Sequence, residues 1–273
     1  MATITSPSET VLVDVKDNVC WISFNRPKSM NAINLELLCA LDHIITAAGT
    51  QDDIRCVAIQ GAGDNFMAGG DIKKFKVMLD TEPDVTARRH EFERTLHSVH
   101  EVIFKMRELR QPIIAIVKGA VAGAGVSLMS ACDLVVASEK SFFTLAYCHL
   151  GVSPDGGSTY HLPRMVGMKR AFEIALLGDR FDAAKAEKWG LINWVFSAEE
   201  IDTEANKIVL RLATGPTLAH GHAKALLNES LNNTINTQLN NEITRFVDCT
   251  ETSDFTEGVS AFIEKRKATF EGR

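Results

Sequence analysis

No dense block of lysine or arginine occurs anywhere in this chain: 35 acidic side chains outweigh 29 basic ones, giving a net charge of −6. That balance argues against nucleic acid or an anionic membrane as the main partner and leaves small molecules as the expected ones. No C-x-x-C joins the six cysteines, Cys20, Cys39, Cys56, Cys132, Cys148 and Cys249, whose mostly apolar settings read as reduced, buried thiols suited to a cytoplasmic protein. Residues 1–5 lack both the basic start and the apolar stretch of a secretory leader, so nothing there directs export. The longest uncharged run, 119–132, falls short of the ~20 apolar residues a bilayer span requires, and reads as a buried turn and helix. His97 and His100 stand one helical turn apart with no third ligand nearby, so no metal is expected. No G-x-x-x-x-G-K loop is present. Gly123-Ala124-Gly125 opens a helix, but Leu128 replaces the third glycine of the dinucleotide fingerprint, which sets aside a nicotinamide oxidoreductase.

What is there can bury a large core, with 45% of residues apolar and 23% charged. Residues 11–15 and 19–24 are β-branched and aromatic, and read as a strand pair turning at Lys16-Asp17-Asn18. Asn34 is placed to cap a helix over 35–48, where Leu37, Leu38, Leu41, Ile44 and Ile45 recur at helical spacing. The runs 56–60, 113–117 and 134–137 are almost wholly apolar, as in strands covered by helices on both faces. Charge-rich 85–109 reads as a helix with a solvated face. Asp182 caps a helix over 183–189, Gly190 ends it, and 191–196 returns as a strand. From residue 198 the pattern is helical, with amphipathic segments at 201–212, 216–231, 237–248 and 256–270. The chain therefore divides into an α/β core, 1–200, and a helical region, 201–273, part of whose apolar surface is expected to meet another subunit.

Two glycine-rich stretches stand out: Phe66-Met67-Ala68-Gly69-Gly70-Asp71-Ile72, and 117–125. Each follows a strand-like run and turns into a helix, where bare main-chain N–H groups hold developing negative charge without a cationic side chain. Two such donors facing one oxygen would make an oxyanion hole.

With these stretches the chain resembles the crotonase superfamily, the enoyl-CoA hydratase/isomerase group, over essentially its whole length. The similarity also runs through Phe24-Asn25-Arg26-Pro27-Lys28 with Asn31-Ala32, through 118–133, through Gly151-Val152-Ser153-Pro154-Asp155-Gly156-Gly157, through Gly190-Leu191-Ile192-Asn193, and through 257–266. The resemblance implies an α/β crotonase-like fold: a spiral of ββα turns with a C-terminal helical trimerisation region, assembled as a homotrimer or a hexamer of two trimers. It implies an acyl-CoA thioester substrate, with coenzyme A part of that substrate and no separate cofactor. It assigns the thioester carbonyl to the N–H groups of Gly70 and Ala124. Ala124 stands where the family usually has glycine, an exchange a main-chain donor survives if the local φ suits alanine. For coenzyme A it implies Lys28 and Ala32 near the nucleotide end, Ala68, Asp71, Ile72 and Lys73 along the ligand, and Phe262 and Lys265 from a neighbouring subunit. Read by themselves, the lysines could be solvated, Asp71 a helix-start residue and Phe262 tail core; phosphates, however, need compact cations.

The expected reaction turns on a departure from that family. A hydratase of the group uses two glutamates, one to activate water and one to protonate the α-carbon, and here Ser127 and Tyr147 occupy those positions. A serine hydroxyl, and a phenol that titrates near pH ~10, are not the pair of bases that adding water requires, so hydratase activity is expected to be poor or absent. Asp155 offers a lone carboxylate in a loop where double-bond isomerases and some dehalogenase-like members place an aspartate. One base suffices to take a proton from C2 of a 3-enoyl thioester and return it at C4, the reaction of a Δ3-Δ2-enoyl-CoA isomerase. The plainer reading has Asp155 capping the helix that begins near Gly157. A hydratase, a hydrolase, a dehalogenase-like enzyme with Asp155 as nucleophile, and a silent acyl-CoA binder are the other readings. Tyr147 and the nearby His149 read as orienting or structural groups, and Ser127 as a small pocket lining.

Overall fold

The computed structural model describes residues 3–273; Met1 and Ala2, in the stretch read for a leader, lie outside them. β1 (Val11–Lys16) and β2 (Val19–Phe24) form the expected hairpin, closed by Asp17 and Asn18 at φ of 52° and 61°. A two-residue turn with both φ positive matches the twist of its strands, and Asp and Asn tolerate that region. β3 (Cys56–Gly61), β4 (Ile113–Val117), β6 (Leu134–Ser138) and β9 (Trp194–Phe196) then add in parallel, giving a six-stranded sheet of order β1-β2-β3-β4-β6-β9. β5 (Ala120–Ala122), β7 (Phe142–Thr144) and β8 (Phe181–Asp182) make a second, small sheet of strands too short for sequence patterning to reveal.

Helices cover the large sheet on both faces, which is why its central strands could be so apolar. On one side lies the main core, built with α1 (Leu35–Gly49), α3 (Val85–Glu108), α4 (Ala124–Ser130) and the small sheet. Asn34 caps α1 as expected, its side chain accepting from the Leu37 N–H at 2.9 Å. Between α1 and α3, α2 (Ile72–Thr81) buries none of its residues. α5 (Ser158–Leu177) and the Asp182-capped α6 (Ala183–Lys188) follow. On the other face, α7 (Ile201–Ala213) lays Ile201, Ala205, Val209 and Ala213, four residues apart, against Val19, Cys56, Ala58, Ile114, Ile116 and Val136. α7 thus packs on the sheet although it follows residue 200 in the chain. In sequence α7 looks like any amphipathic tail segment, and only the position of the sheet distinguishes it.

α8 (Thr217–Ser230), α9 (Ile235–Thr250) and α10 (Ser253–Glu264) complete the chain. α9 buries none of its residues and leaves Leu239, Ile243 and Phe246 exposed. Buried Arg55 ties this region to the core, donating to Thr217 Oγ1 at 3.1 Å and to the carbonyls of Phe270, at 2.9 Å, and Gly215. Lys224 of α8 does the same through Asp133 and the Met106 carbonyl, both at 2.8 Å. All six cysteines are free, yet only Cys20, Cys56 and Cys132 are buried, and Cys39 is exposed on α1. Among the described residues no helix is long and apolar enough to cross a membrane.

Candidate active site

The two glycine-rich turns lie side by side. Met67 and Val121 form a parallel bridge, with the Met67 N–H donating to Ala120 O at 3.1 Å and the Ala122 N–H to Met67 O at 2.9 Å. Gly70 and Ala124 each follow that bridge by three residues, so the shared register brings them to the same end of the pair. Gly69 makes the close approach possible. At φ +84°, a Cβ there would stand 2.8 Å from Ala122 O and 3.3 Å from Ala124 N, so a side chain would be both strained and in collision. On the opposite flank the Ile33 N–H donates to Gly69 O at 2.7 Å, and the Asp71 N–H to Ile33 O at 3.3 Å. Gly70 is bracketed by that pattern, which turns its own N–H toward the side where 120–124 runs. Neither the Gly70 nor the Ala124 N–H donates to an acceptor among the described residues. The left-handed residue at the head of α4 is Gly123, φ 51°, and Ala124 is not among the residues with positive φ, which meets the condition alanine had to satisfy.

Asp71 carries this turn into α2. One carboxylate oxygen accepts the Lys74 N–H at 3.3 Å, while the other pairs with Arg26 at 2.8 Å. The Arg26 hydrogen bond holds the Asp71 carboxyl below its usual range. Buried Asn31, at φ 57°, donates to the carbonyls of Ala62 and Asn65 at 3.0 and 2.7 Å and accepts from the Arg26 N–H. Arg26 and Asn31 thus lock the 26–33 loop to the donor turn. Neither role was legible in isolation, because both partners lie more than thirty residues away in sequence. The same loop carries exposed Lys28 and buried Ala32, beside half-buried Ala68; Ile72 and Lys73 are exposed at the start of α2. Phe262, 86% exposed, and Lys265 stand at the outer end of α10, which packs against α9.

Ser127, Tyr147 and Asp155 come together although they span 28 residues of sequence. The Tyr147 phenol donates to Asp155 Oδ1. Ser127, fully buried on α4 one turn beyond Ala124, donates to the Asp155 carbonyl at 2.8 Å. Gly156 packs so closely that a Cβ would meet Ser127 Cβ at 2.8 Å. The Asp155 side chain does not cap α5: the cap residue is Gly157, φ 78°, with no side-chain hydrogen bond, and it is the Asp155 carbonyl that takes the Ser158 N–H at 3.2 Å. Burial, and then the neighbouring Asp155 charge, push the Tyr147 phenol well above its usual value, so it stays a proton donor near neutrality. His149 turns away, its Nε2 lying 3.1 Å from Gly178 O. A cavity of about 850 Å³ opens behind this turn, between α3, α8 and α9; it reaches Gly156 and Gly157 but not Gly70, Ala124 or Asp155. The His97 and His100 rings stand edge to face at 6.5 Å between ring centres, and no cluster of metal-ligating side chains gathers among the described residues.

A profile of the enoyl-CoA hydratase/isomerase family matches residues 14–273. The 1,2-epoxyphenylacetyl-CoA isomerase of Escherichia coli is 34% identical, over 97% of this chain and 99% of its own length. The crotonyl-CoA hydratase of Syntrophomonas wolfei is 31% identical, over 96% and 98%. In three dimensions the chain superposes on an enoyl-CoA hydratase/isomerase-type protein of Mycobacterium abscessus with a TM-score of 0.90, at 29% identity and over 96% of this chain and all of the other. With the fold, the paired turns and these matches in agreement, the chain belongs to the enoyl-CoA hydratase/isomerase family of the crotonase superfamily.

Proposed function

We propose that the chain is a Δ3-Δ2-enoyl-CoA isomerase-type enzyme in which Asp155 moves the proton and the N–H groups of Gly70 and Ala124 hold the enolate oxygen. One observation carries this reading: a carboxylate hydrogen-bonded inside the site, with hydroxyls at both positions where a hydratase would need glutamates. Asp155 takes a proton from C2 of a 3-enoyl thioester, and negative charge develops on the carbonyl oxygen. Two unengaged main-chain donors stabilise that charge, each worth about 3 kcal/mol in the transition state. The protonated carboxyl then returns its proton at C4, leaving the 2-enoyl product and a regenerated base. The isomerase name of the Escherichia coli relative supports a reaction that rearranges bonds without adding water.

Coenzyme A enters as part of the substrate. Lys28 and Lys73 meet its phosphates, and Ala32, Ala68, Asp71 and Ile72 line its path, Asp71 chiefly by fixing the loop through Arg26. Phe262 and Lys265 come from a neighbouring copy in a trimer or a pair of trimers, which accords with their exposure and with the uncovered faces of α9 and α10. The test is turnover of 3-hexenoyl-CoA against 2-hexenoyl-CoA. Isomerisation lost in Asp155→Asn supports the proposal; hydration of the 2-enoyl substrate, release of free coenzyme A, or isomerisation undiminished in the variant overturns it.

A further inference from the structure

The Asp155 carboxylate is asymmetric. Oδ1 accepts the Tyr147 phenol, while Oδ2 accepts no hydrogen bond among the described residues. The phenol reaches it from the 3-10 turn Tyr147–Leu150, which is entered through Ala146 at φ 52° and left through Gly151 at φ 71°. Gly151, the left-handed residue between them, turns the chain back so that position 147 comes over position 155. The carbonyl of the same aspartate takes both the Ser127 and Ser158 hydroxyls, at 2.8 and 3.0 Å. Main chain and side chain of Asp155 are thus each held from outside.

We infer that Tyr147 is a positioning residue for Asp155: its phenol occupies Oδ1, fixes the direction of the carboxylate, and leaves Oδ2 to exchange the proton. The assignment rests on Asp155 being the base. A charge-assisted hydrogen bond donated to one carboxylate oxygen adds geometric definition to the other. The other ionisable groups on elements packed around this turn are His149 beside Tyr147, His161 and Arg164 on α5, and Arg107 and His100 on α3. His149 is turned to Gly178 O, and Arg164 stacks on Tyr160 at 3.6 Å. Burial lowers the buried His161 to about 4, so it keeps one charge state above that pH. Arg107 is a permanent cation, and its charge is the same with or without the phenol.

Tyr147→Phe keeps the ring and deletes only the donor, so the two roles separate. A positioning role lowers kcat for 3-hexenoyl-CoA by about tenfold while KM stays within about twofold, the split expected when a hydrogen bond is lost from the reacting base and not from the bound substrate. A packing role leaves kcat where it is, and that result overturns the inference. A second readout needs neither turnover nor that variant. The chain has two tyrosines, so in a Tyr160→Phe background the ultraviolet difference titration reports Tyr147 alone. With the carboxylate charge removed by Asp155→Asn, the phenol should ionise at lower pH, because the Asp155 charge and the hydrogen bond it accepts both hold the phenol protonated. Coincident titrations overturn the inference. Should the native chain leave 3-hexenoyl-CoA unchanged, the isomerase reading fails, and the tyrosine titration still decides this one.

Discussion

The two halves of the site are made of different material. In the proposed mechanism the donor half, the turns at 66–72 and 117–125, acts through main-chain N–H groups placed by strand register and by glycines at close approach. The acid half, Ser127 with Tyr147 and Asp155, would act through side chains brought together from a helix and two loops. The difference teaches which changes each half tolerates. In the donor half, side-chain identity matters only where a Cβ would push the chains apart. In the acid half the atoms themselves are the chemistry, and isosteric exchange is enough to remove it. Proton concentration separates the halves as well. In the donor half Arg26 holds the Asp71 carboxyl below its usual range, whereas the chemistry proposed for the acid half depends on a proton that must come and go.

The largest effect is therefore expected from Asp155→Asn, which keeps shape and removes the base. A fall in kcat of about 10²–10⁴-fold, typical of losing a general acid–base group, is expected with the melting temperature little changed. Assay of the purified variant on 3-hexenoyl-CoA checks it. Gly69→Ala comes next. The added methyl must displace Ala122 O or move the chain away from Ala124, so the two donors cease to address one oxygen. The expected loss is about 10²–10³-fold in kcat, uniform across pH because no titratable group is touched. A pH-dependent loss in Gly69→Ala would show that the donor turn also sets the state of the acid, and would break the comparison.

A smaller effect, on stability alone, sharpens it. His161 lies buried on α5, six residues beyond Asp155, with its pKa lowered to about 4, first by burial and then by Arg107 and Arg164. The unfolded chain, where the same histidine titrates near 6.5, takes up the proton first as acid is added. Folding stability is thus present in full above about pH 6.5, is lost progressively toward pH 4, and loses nothing more from this group below that. At pH 5 the loss is about 2 kcal/mol relative to pH 7. Urea unfolding at the two pH values, at fixed protein concentration, should show this slope in the native chain and a reduced one in His161→Gln. Equal slopes would mean that the acid half is wetter than its packing indicates.

Much of this was readable beforehand, and the unreadable parts share a cause. Local chemistry marks itself: the Asn34 cap, the turn at Asp17 and Asn18 and the leucine spacing of α1 depend on neighbours within four residues. The glycines at 69 and 123 pointed to the donor turns for the same reason. Asp155 is visible as a carboxylate in an otherwise glycine-rich loop, but its tie to Tyr147 is not, because that contact depends on the left-handed turn at Gly151 between them. The role of Arg26 is not legible locally, because its partner Asp71 is 45 positions away. The face that α7 covers is illegible locally for a related reason. Amphipathicity shows that α7 must cover something, and the sheet that it covers is assembled from strands spread between residues 19 and 138.

Ala124→Gly is the mildest change and the most direct probe of the donor half. It exchanges the residue whose N–H is assigned to the enolate for the one the family usually has, leaving Gly123 to make the left-handed turn. Removing a buried methyl and adding backbone freedom at the first turn of α4 should together cost about 1–2 kcal/mol of stability, read as a modest drop in melting temperature. The N–H itself is untouched, so kcat/KM for 3-hexenoyl-CoA should stay within about threefold, far inside the 10²–10³-fold cost of losing a donor. If activity instead fell tenfold or more, the alanine side chain would be shaping the acyl pocket. The donor half would then be no more tolerant of substitution than the acid half, and the contrast between main-chain and side-chain chemistry would not hold for this enzyme.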